Sequence, residues 1–221
     1  MNEFISLFIK YLPQLLSGLQ MTIAIAVLAL FFGVIIGLVF GLMSISKNKL
    51  LSGIATFYVG LIRGIPVFVL AMYLYFGIPA LLGFTIPAFN AAIIILAINS
   101  SAFLCEIFRG GIQAVDFGQM EAARSLGIPY RQTMTHVILP QAVKIMVPSI
   151  MNQFISTLKD TSILSIITVR ELMMNSQIIV SSTFEPFYIY TYAVIFYLIM
   201  VTALTVLARF IERRMKYDHR G

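Results

Sequence analysis

The chain has 221 residues, of which 60% are hydrophobic and 11% charged, with a mean hydropathy of +0.96; so apolar a surface excludes a water-soluble domain and demands lipid as solvent. The net charge of +6 does not point to nucleic acid, because the basic residues are scattered between apolar runs and gathered at the C-terminus, without forming a stripe. A single cysteine, Cys105, in an apolar segment, and two histidines, His136 and His219, in separate basic stretches exclude a disulfide framework and a metal cluster.

A bilayer core about 30 Å thick takes about 20 apolar residues per helix, so this length allows five or six spans in one membrane domain covering 1–221. The segment ahead of the first apolar run carries Glu3 and Lys10, which is unlike a cleavable signal peptide, so the first span is expected to be retained. That span is predicted over 19–43, where no charge interrupts the chain. Its Gly33, Gly37 and Gly41 stand four apart on one helical face, the spacing that lets another helix approach closely in lipid. The next charge-free run, 64–105, is too long for one helix, and Pro79, Gly83 and Pro87 mark a turn within it. Span two is therefore predicted over 55–77 and span three over 88–108.

After a loop at about 116–140, span four is predicted to start beyond Lys144, since Pro140 reads as a helix breaker, and it must include Lys159 and Asp160. At about 1.5 Å per residue those two lie about 22 Å past Lys144. Span five, 187–207, is charge-free and ends at Arg209 ahead of a basic tail. Lys47, Lys49, Arg124, Arg131, Lys144 and the tail fall on one side of this arrangement, and only Lys10 and Arg170 on the other. The asymmetry puts the C-terminus inside and the N-terminus outside. The chain shows no internal repeat, and five helices are few to enclose a solute path, so a dimer is expected.

The loop reads as two short amphipathic helices, one containing Glu121, Ala122, Ala123 and Arg124, the other over 130–138. Gly127 between them tolerates a positive φ, and Pro129 suits the first turn of the second. Taken in order, the residues are Gly118, Gln119, Glu121, Ala122, Ala123, then Gly127, then Val137, Ile138, Leu139 and Pro140. This resembles the E-A-A-x3-G-x9-I-x-L-P signature of permease subunits of binding-protein-dependent ABC importers, with Val137 where the pattern has isoleucine.

The resemblance continues in Tyr58, Arg63, Gly64 and Pro66 (Y-x4-R-G-x-P), in Glu106, Arg109, Gly110 and Gly111 (E-x2-R-G-G), and in Lys159, Asp160, Thr161 and Ser162 (K-D-T-S). These are typical of the subfamily that imports polar amino acids such as histidine, glutamine, arginine and cystine. Taken by themselves, Arg63 and Arg109 are equally well read as arginines snorkelling to the inside surface.

The resemblance implies an all-α integral membrane fold of the type I importer permeases, in the bacterial cytoplasmic membrane. It implies two ATPase subunits that bind ATP and Mg, a second permease copy or close paralogue, and an extracytoplasmic amino-acid-binding protein. The first loop helix would dock in the ATPase cleft, with Gly118, Gln119, Glu121, Ala122, Ala123, Gly127, Leu139 and Pro140 forming the coupling unit. Nothing in the chain resembles a phosphate-binding Gly-rich loop, so nucleotide chemistry is expected in trans and no cofactor in this chain.

At about 100° per residue, Ser149, Asn152, Gln153, Ser156 and Asp160 share one face of span four, with Ile150, Phe154, Ile155 and Leu158 elsewhere. A polar stripe at membrane depth lines a cavity or glues two helices together. The resemblance favours Asn152, Gln153, Ser156 and Asp160 as contacts to a polar amino acid, with Asn99 and Ser100 on span three as the other location. Relatives often carry glutamate at the position of Gln153, so a neutral residue there makes a strongly cationic solute less favoured. A self-sufficient secondary transporter or channel using Lys159 and Asp160 as an ion relay is the alternative, and the coupling loop and lack of repeats count against it. A membrane enzyme would need a convergent catalytic set, and no Ser-His-Asp group occurs at usable spacing.

Overall fold

A computed structural model of the chain describes residues 2–217; His219 and Arg220 lie outside the described residues. Helix α1 (Asn2–Ser44) is followed by α2 (Lys49–Gly64), α3 (Val67–Met72), α4 (Ile78–Leu82) and α5 (Ala88–Gln113). Then come α6 (Phe117–Ser125), α7 (Tyr130–Thr133), α8 (Leu139–Asp160), a 3₁₀ segment Thr161–Ile167, α9 (Leu172–Thr183) and α10 (Pro186–Tyr217). Among the described residues, four helical runs are long and apolar enough to cross a membrane, and a bent pair makes a fifth.

The glycine face of α1 packs on α5 as its spacing requires. A Cβ built on Gly33 would stand 3.2 Å from Ser100 Cβ, on Gly37 2.8 Å from Leu104 Cβ, and on Gly41 3.1 Å from Phe108 Cβ. Only hydrogen fits at Gly37, and the partner numbers rise together, so α1 and α5 run parallel. Ser100 and Thr157 hydroxyls meet at 3.2 Å while Met146 covers Gly111, which sets α8 antiparallel to α5. Ser52 of α2 donates to the Ser44 carbonyl at 3.2 Å, and Tyr58 stacks on Phe40 with ring centres 3.9 Å apart and meets Ser101 Oγ at 2.5 Å, so α2 runs against α1 and, with it, α5. Ala26 with Leu158 and Met200, and Phe4 with Tyr192, align α10 with α1. The five spans thus alternate in direction.

The helices of spans one and five extend past the predicted 19–43 and 187–207, to Asn2–Ser44 and Pro186–Tyr217, and two further boundaries change at a proline. The expected span over 55–77 is two helices, Lys49–Gly64 and Val67–Leu82, bent by 100°. The cause is Pro66, which drives the residue before it out of the α region: Ile65 is extended at φ −104° and ψ 126°. Conversely, Pro140 does not break the chain ahead of span four, which is helical from Tyr130 to Ile167. A wide π turn at Met134–Ile138 absorbs the proline, with Leu139 N–H donating to the Met134 carbonyl. The added residue relieves the clash a proline ring makes with the preceding turn. Gln141 Nε2 then donates to the Val137 carbonyl at 2.9 Å.

Ile25, Ala29, Leu96 and Leu164 are fully buried where α1, α5 and the 3₁₀ segment meet, and Leu104, Phe108, Ala142 and Met146 form the core nearer the loop. Outward faces of α1 and α10 are apolar, with Phe31, Val39, Val194 and Leu198 more than half exposed, as suits contact with lipid.

Candidate functional site: a pocket inside the bundle and a loop at its end

The bend at Pro66 opens a cavity of about 270 Å³, lined by Ile62, Arg63, Ile65, Pro66, Val67, Asn99, Phe103, Gln153, Ser156 and Asp160. Four of the residues singled out from the sequence, Asn99, Gln153, Ser156 and Asp160, therefore share one space. Asn99 is about 21 Å from the end of α5 at Gln113, at about 1.5 Å per residue, so the pocket lies near the middle of the bundle.

Ser100 and Asn152 are not on its wall. Ser100 is fully buried, its hydroxyl donates to the Leu96 carbonyl, and its Cβ abuts Gly33, so it joins helices. One residue on a helix turns the side chain by about 100°, which separates Ser100 from Asn99. Asn152 is exposed on the flank of α8, where Ser149 and Lys159 are exposed too.

The pocket gains a charge that sequence reasoning left ambiguous. Arg63, in the last turn of α2, lines it with its guanidinium carbon 5.2 Å from the centre of the Phe103 ring, a cation–π distance. The signal was present in Pro66, whose bend ends α2 there and leaves Arg63 lining the same pocket as Asp160 and Asn99. Breaks of this kind at mid-membrane also leave backbone groups without helical partners beside a solute site.

Local hydroxyls shape the chain just past Asp160. Thr161 and Ser162 donate to the carbonyls of Leu158 and Lys159 at 2.7 and 2.8 Å, tightening the end of α8 into the 3₁₀ segment directly after Asp160. Gln153 is buried, with Nε2 donating to Thr157 Oγ1 at 3.3 Å. One cation, one carboxylate, two amides and a hydroxyl against apolar walls can hold a small solute bearing both charges.

The loop is built differently. Asp116 caps α6, its Oδ1 accepting from Gly118 N–H at 2.6 Å. A Cβ on Gly118 would stand 2.9 Å from that oxygen. At the other end Gly127 has φ +80°, its N–H donates to the Arg124 carbonyl at 3.0 Å, and Ile128 N–H donates to the Ala123 carbonyl at 3.2 Å. This pair of bonds is a Schellman cap, which calls for the left-handed residue glycine supplies. Arg124 Nη1 donates to the Ile128 carbonyl at 3.0 Å and braces the turn.

Pro129 stands at the N-cap of α7, one position before the first turn where it was expected. Ala123 is buried, while Gln119, Glu121 and Ala122 face outward with Phe117 and Leu126, which are 72% and 82% exposed. Leu139 is half-buried and Pro140 exposed. An open cleft of about 640 Å³ separates α6 from the bundle, lined by residues that include Val115, Met120, Tyr130 and Met134.

Residues 29–217 match the family described as binding-protein-dependent transport system inner membrane component. The chain is 38% identical to the arginine transport system permease protein ArtQ of Bacillus subtilis (strain 168), over 98% of this chain and 99% of the relative. It is 37% identical to the glutamine transport system permease protein GlnP of Escherichia coli (strain K12), over 93% and 94%. Among solved structures, an amino acid ABC transporter crystallised with histidines aligns with a TM-score of 0.91 at 42% identity, covering 96% of this chain and 98% of that one. The MetNI methionine ABC transporter, in an inward-facing conformation, shares the fold at a TM-score of 0.80 and 20% identity, over 93% and 98%. The helical bundle, the E-A-A loop and these alignments agree: the chain belongs to the binding-protein-dependent transport system inner membrane components, the permease subunits of ABC importers.

Proposed function

We propose that the pocket is the solute site of an importer for polar amino acids. The observation that carries this is that Arg63 and Asp160 line one mid-bundle pocket together with Asn99, Gln153 and Ser156. An α-amino acid carries a carboxylate that Arg63 can bind and an ammonium that Asp160 can bind, leaving the amides and Ser156 for a polar side chain. The relatives named for arginine and glutamine, and the neighbour crystallised with histidines, support the same substrate class. Gln153 is neutral and favours an uncharged solute over a strongly cationic one.

The chain works in a larger assembly. Ser149, Asn152 and Lys159 are exposed on α8, and such groups facing lipid cost several kcal/mol, so this face turns toward a second permease copy or close paralogue across the solute path. Two ATPase subunits, holding ATP and Mg, seat the coupling unit of Gly118, Gln119, Glu121, Ala122, Ala123, Gly127, Leu139 and Pro140. The chain itself is the non-catalytic subunit. An extracytoplasmic binding protein delivers solute to the opposite end. The loop end and C-terminus lie inside and the N-terminus outside, following the basic residues. ATP-driven closure of the ATPase pair moves the two loops together and exposes the pocket to alternate sides.

The test is solute binding to the purified, assembled transporter with L-glutamine and L-arginine as probes. Arg63→Gln and Asp160→Asn should each weaken binding by about 10- to 100-fold, as expected when a charge-assisted contact worth about 1.5–3 kcal/mol is lost. Unchanged affinity in both variants, with normal assembly, sinks the proposed site.

A further inference from the structure

Arg63 has more than one carboxylate within reach. It shares the pocket wall with Asp160, and its guanidinium lies over Phe103. Glu106 follows Phe103 by one helical turn on the same face of α5, so its carboxylate is the next one along that helix from the guanidinium seated over Phe103. Arg109 already holds Glu106 in a two-pronged pair, Nε donating to Oε1 at 3.2 Å and Nη2 to Oε2 at 2.7 Å, while Nη1 donates to Gln113 Oε1 at 2.7 Å.

The pair is open to its surroundings, the two side chains being 36% and 31% exposed. Gly110, next along this face, would present a Cβ to empty space. One strip of α5, from Asn99 through Phe103 and Glu106 to Gly110, therefore joins the pocket to the loop end. Asp160 and Arg63 stand in the pocket at one end of this strip, and Glu106 and Arg109 follow on α5 itself.

We propose that Glu106 competes with the solute carboxylate for Arg63, easing release toward the loop end, and that Arg109 sets the strength of this competition by occupying Glu106. The inference rests on the amino-acid reading of the pocket. A site that conducts must bind well enough to load and weakly enough to empty. A solute held by both Arg63 and Asp160 needs another anion to take over the arginine before it can leave, and Glu106, one turn past the Phe103 of the pocket wall, supplies one on the loop side. Arg109 cannot lose its charge at any working pH, so it restrains Glu106 constantly.

The two members of the pair then act in opposite directions. Without its competitor, the transporter bearing Glu106→Gln should bind L-glutamine about fivefold more tightly, the size of a partly exposed charge interaction, and turn over more slowly at saturation. Arg109→Gln frees Glu106 to engage Arg63 and should weaken binding by about fivefold. Glu106→Asp and Arg109→Lys should fall between these and the wild type. The measurements are equilibrium binding of labelled L-glutamine, with L-arginine beside it, to the nucleotide-free assembled transporter, and uptake at saturating solute in vesicles.

A merely structural ion pair predicts that both neutral variants shift affinity in the same direction, or that neither shifts it; either result overturns the competition. If Arg63→Gln and Asp160→Asn both bind as the wild type does, or if the wild type binds neither amino acid, the reading of the pocket itself fails; unchanged binding by Arg63→Gln alone overturns the competition. Weakened binding by Arg63→Gln, alongside α5 variants that move together, removes the competition and leaves the pocket standing.

Discussion

The pocket and the loop use opposite means to make a site. The pocket is a matter of side chains: Arg63, Asn99, Gln153, Ser156 and Asp160 come from three different helices and meet only because Pro66 bends one of them. The loop is a matter of backbone: its capping bonds at Asp116 and Gly127 form within one short stretch, and the outward side chains Glu121 and Ala122 are left free to meet another surface. Pocket substitutions should therefore alter which solutes are held, whereas loop substitutions should alter whether ATP turnover follows.

The sharpest way to break this division is at Gly127. A β-branched residue at φ +80° costs about 1–3 kcal/mol in backbone strain, enough to open the Schellman turn without touching the bundle. Gly127→Val should abolish most uptake and solute-stimulated ATPase activity while solute binding and the dimer persist. Normal uptake by this variant would remove the account of the loop given above. Gly37 supplies a control belonging to neither region, because a Cβ there meets Leu104 Cβ at 2.8 Å. Gly37→Ala should lower the thermal stability of the purified protein, by about 1–3 kcal/mol for overpacking, with no change in the ranking of solutes. A changed ranking would mean that the α1–α5 seam shapes the pocket.

The smallest effect sharpens the pocket side alone. Gln153→Glu should move preference toward cationic amino acids by a few-fold without ending transport, read as competition between L-arginine and L-glutamine for uptake. An unmoved ranking would show that this position does not sense solute charge and would shift attention to Asn99 on α5.

What was legible in the sequence follows the same division. The loop could be read residue by residue, since a cap and a turn are set by neighbours along the chain: Gly127 takes the positive φ its place between two helices suggested. Helix faces were legible through periodicity, which identified the Gly33, Gly37 and Gly41 seam and brought Gln153, Ser156 and Asp160 onto one wall. Periodicity gives a helix a face but not the neighbour it faces. Ser100 was therefore grouped with Asn99 although it turns into the α1 seam, and Asn152 was grouped with Gln153 although it looks outward. Proline was the least legible residue. Pro66 bends the chain and Pro140 does not, and the difference lies in whether a wide turn forms ahead of the ring.

The unbroken course from Tyr130 to Asp160 makes these two unlike regions parts of one lever. At about 1.5 Å per residue this arm is about 45 Å long, with the loop at one end and Gln153, Ser156 and Asp160 near the other. If the arm pivots near its loop end, a tilt of about 10° carries the far end about 8 Å sideways, more than the width of an amino-acid backbone. Arg63 sits on a different helix, just ahead of the bend at Pro66, and does not travel with that arm. A small rotation at the loop can thus draw the carboxylate of Asp160 away from the guanidinium of Arg63, and a solute bridging the two would feel the stroke as a stretch between its own charged ends.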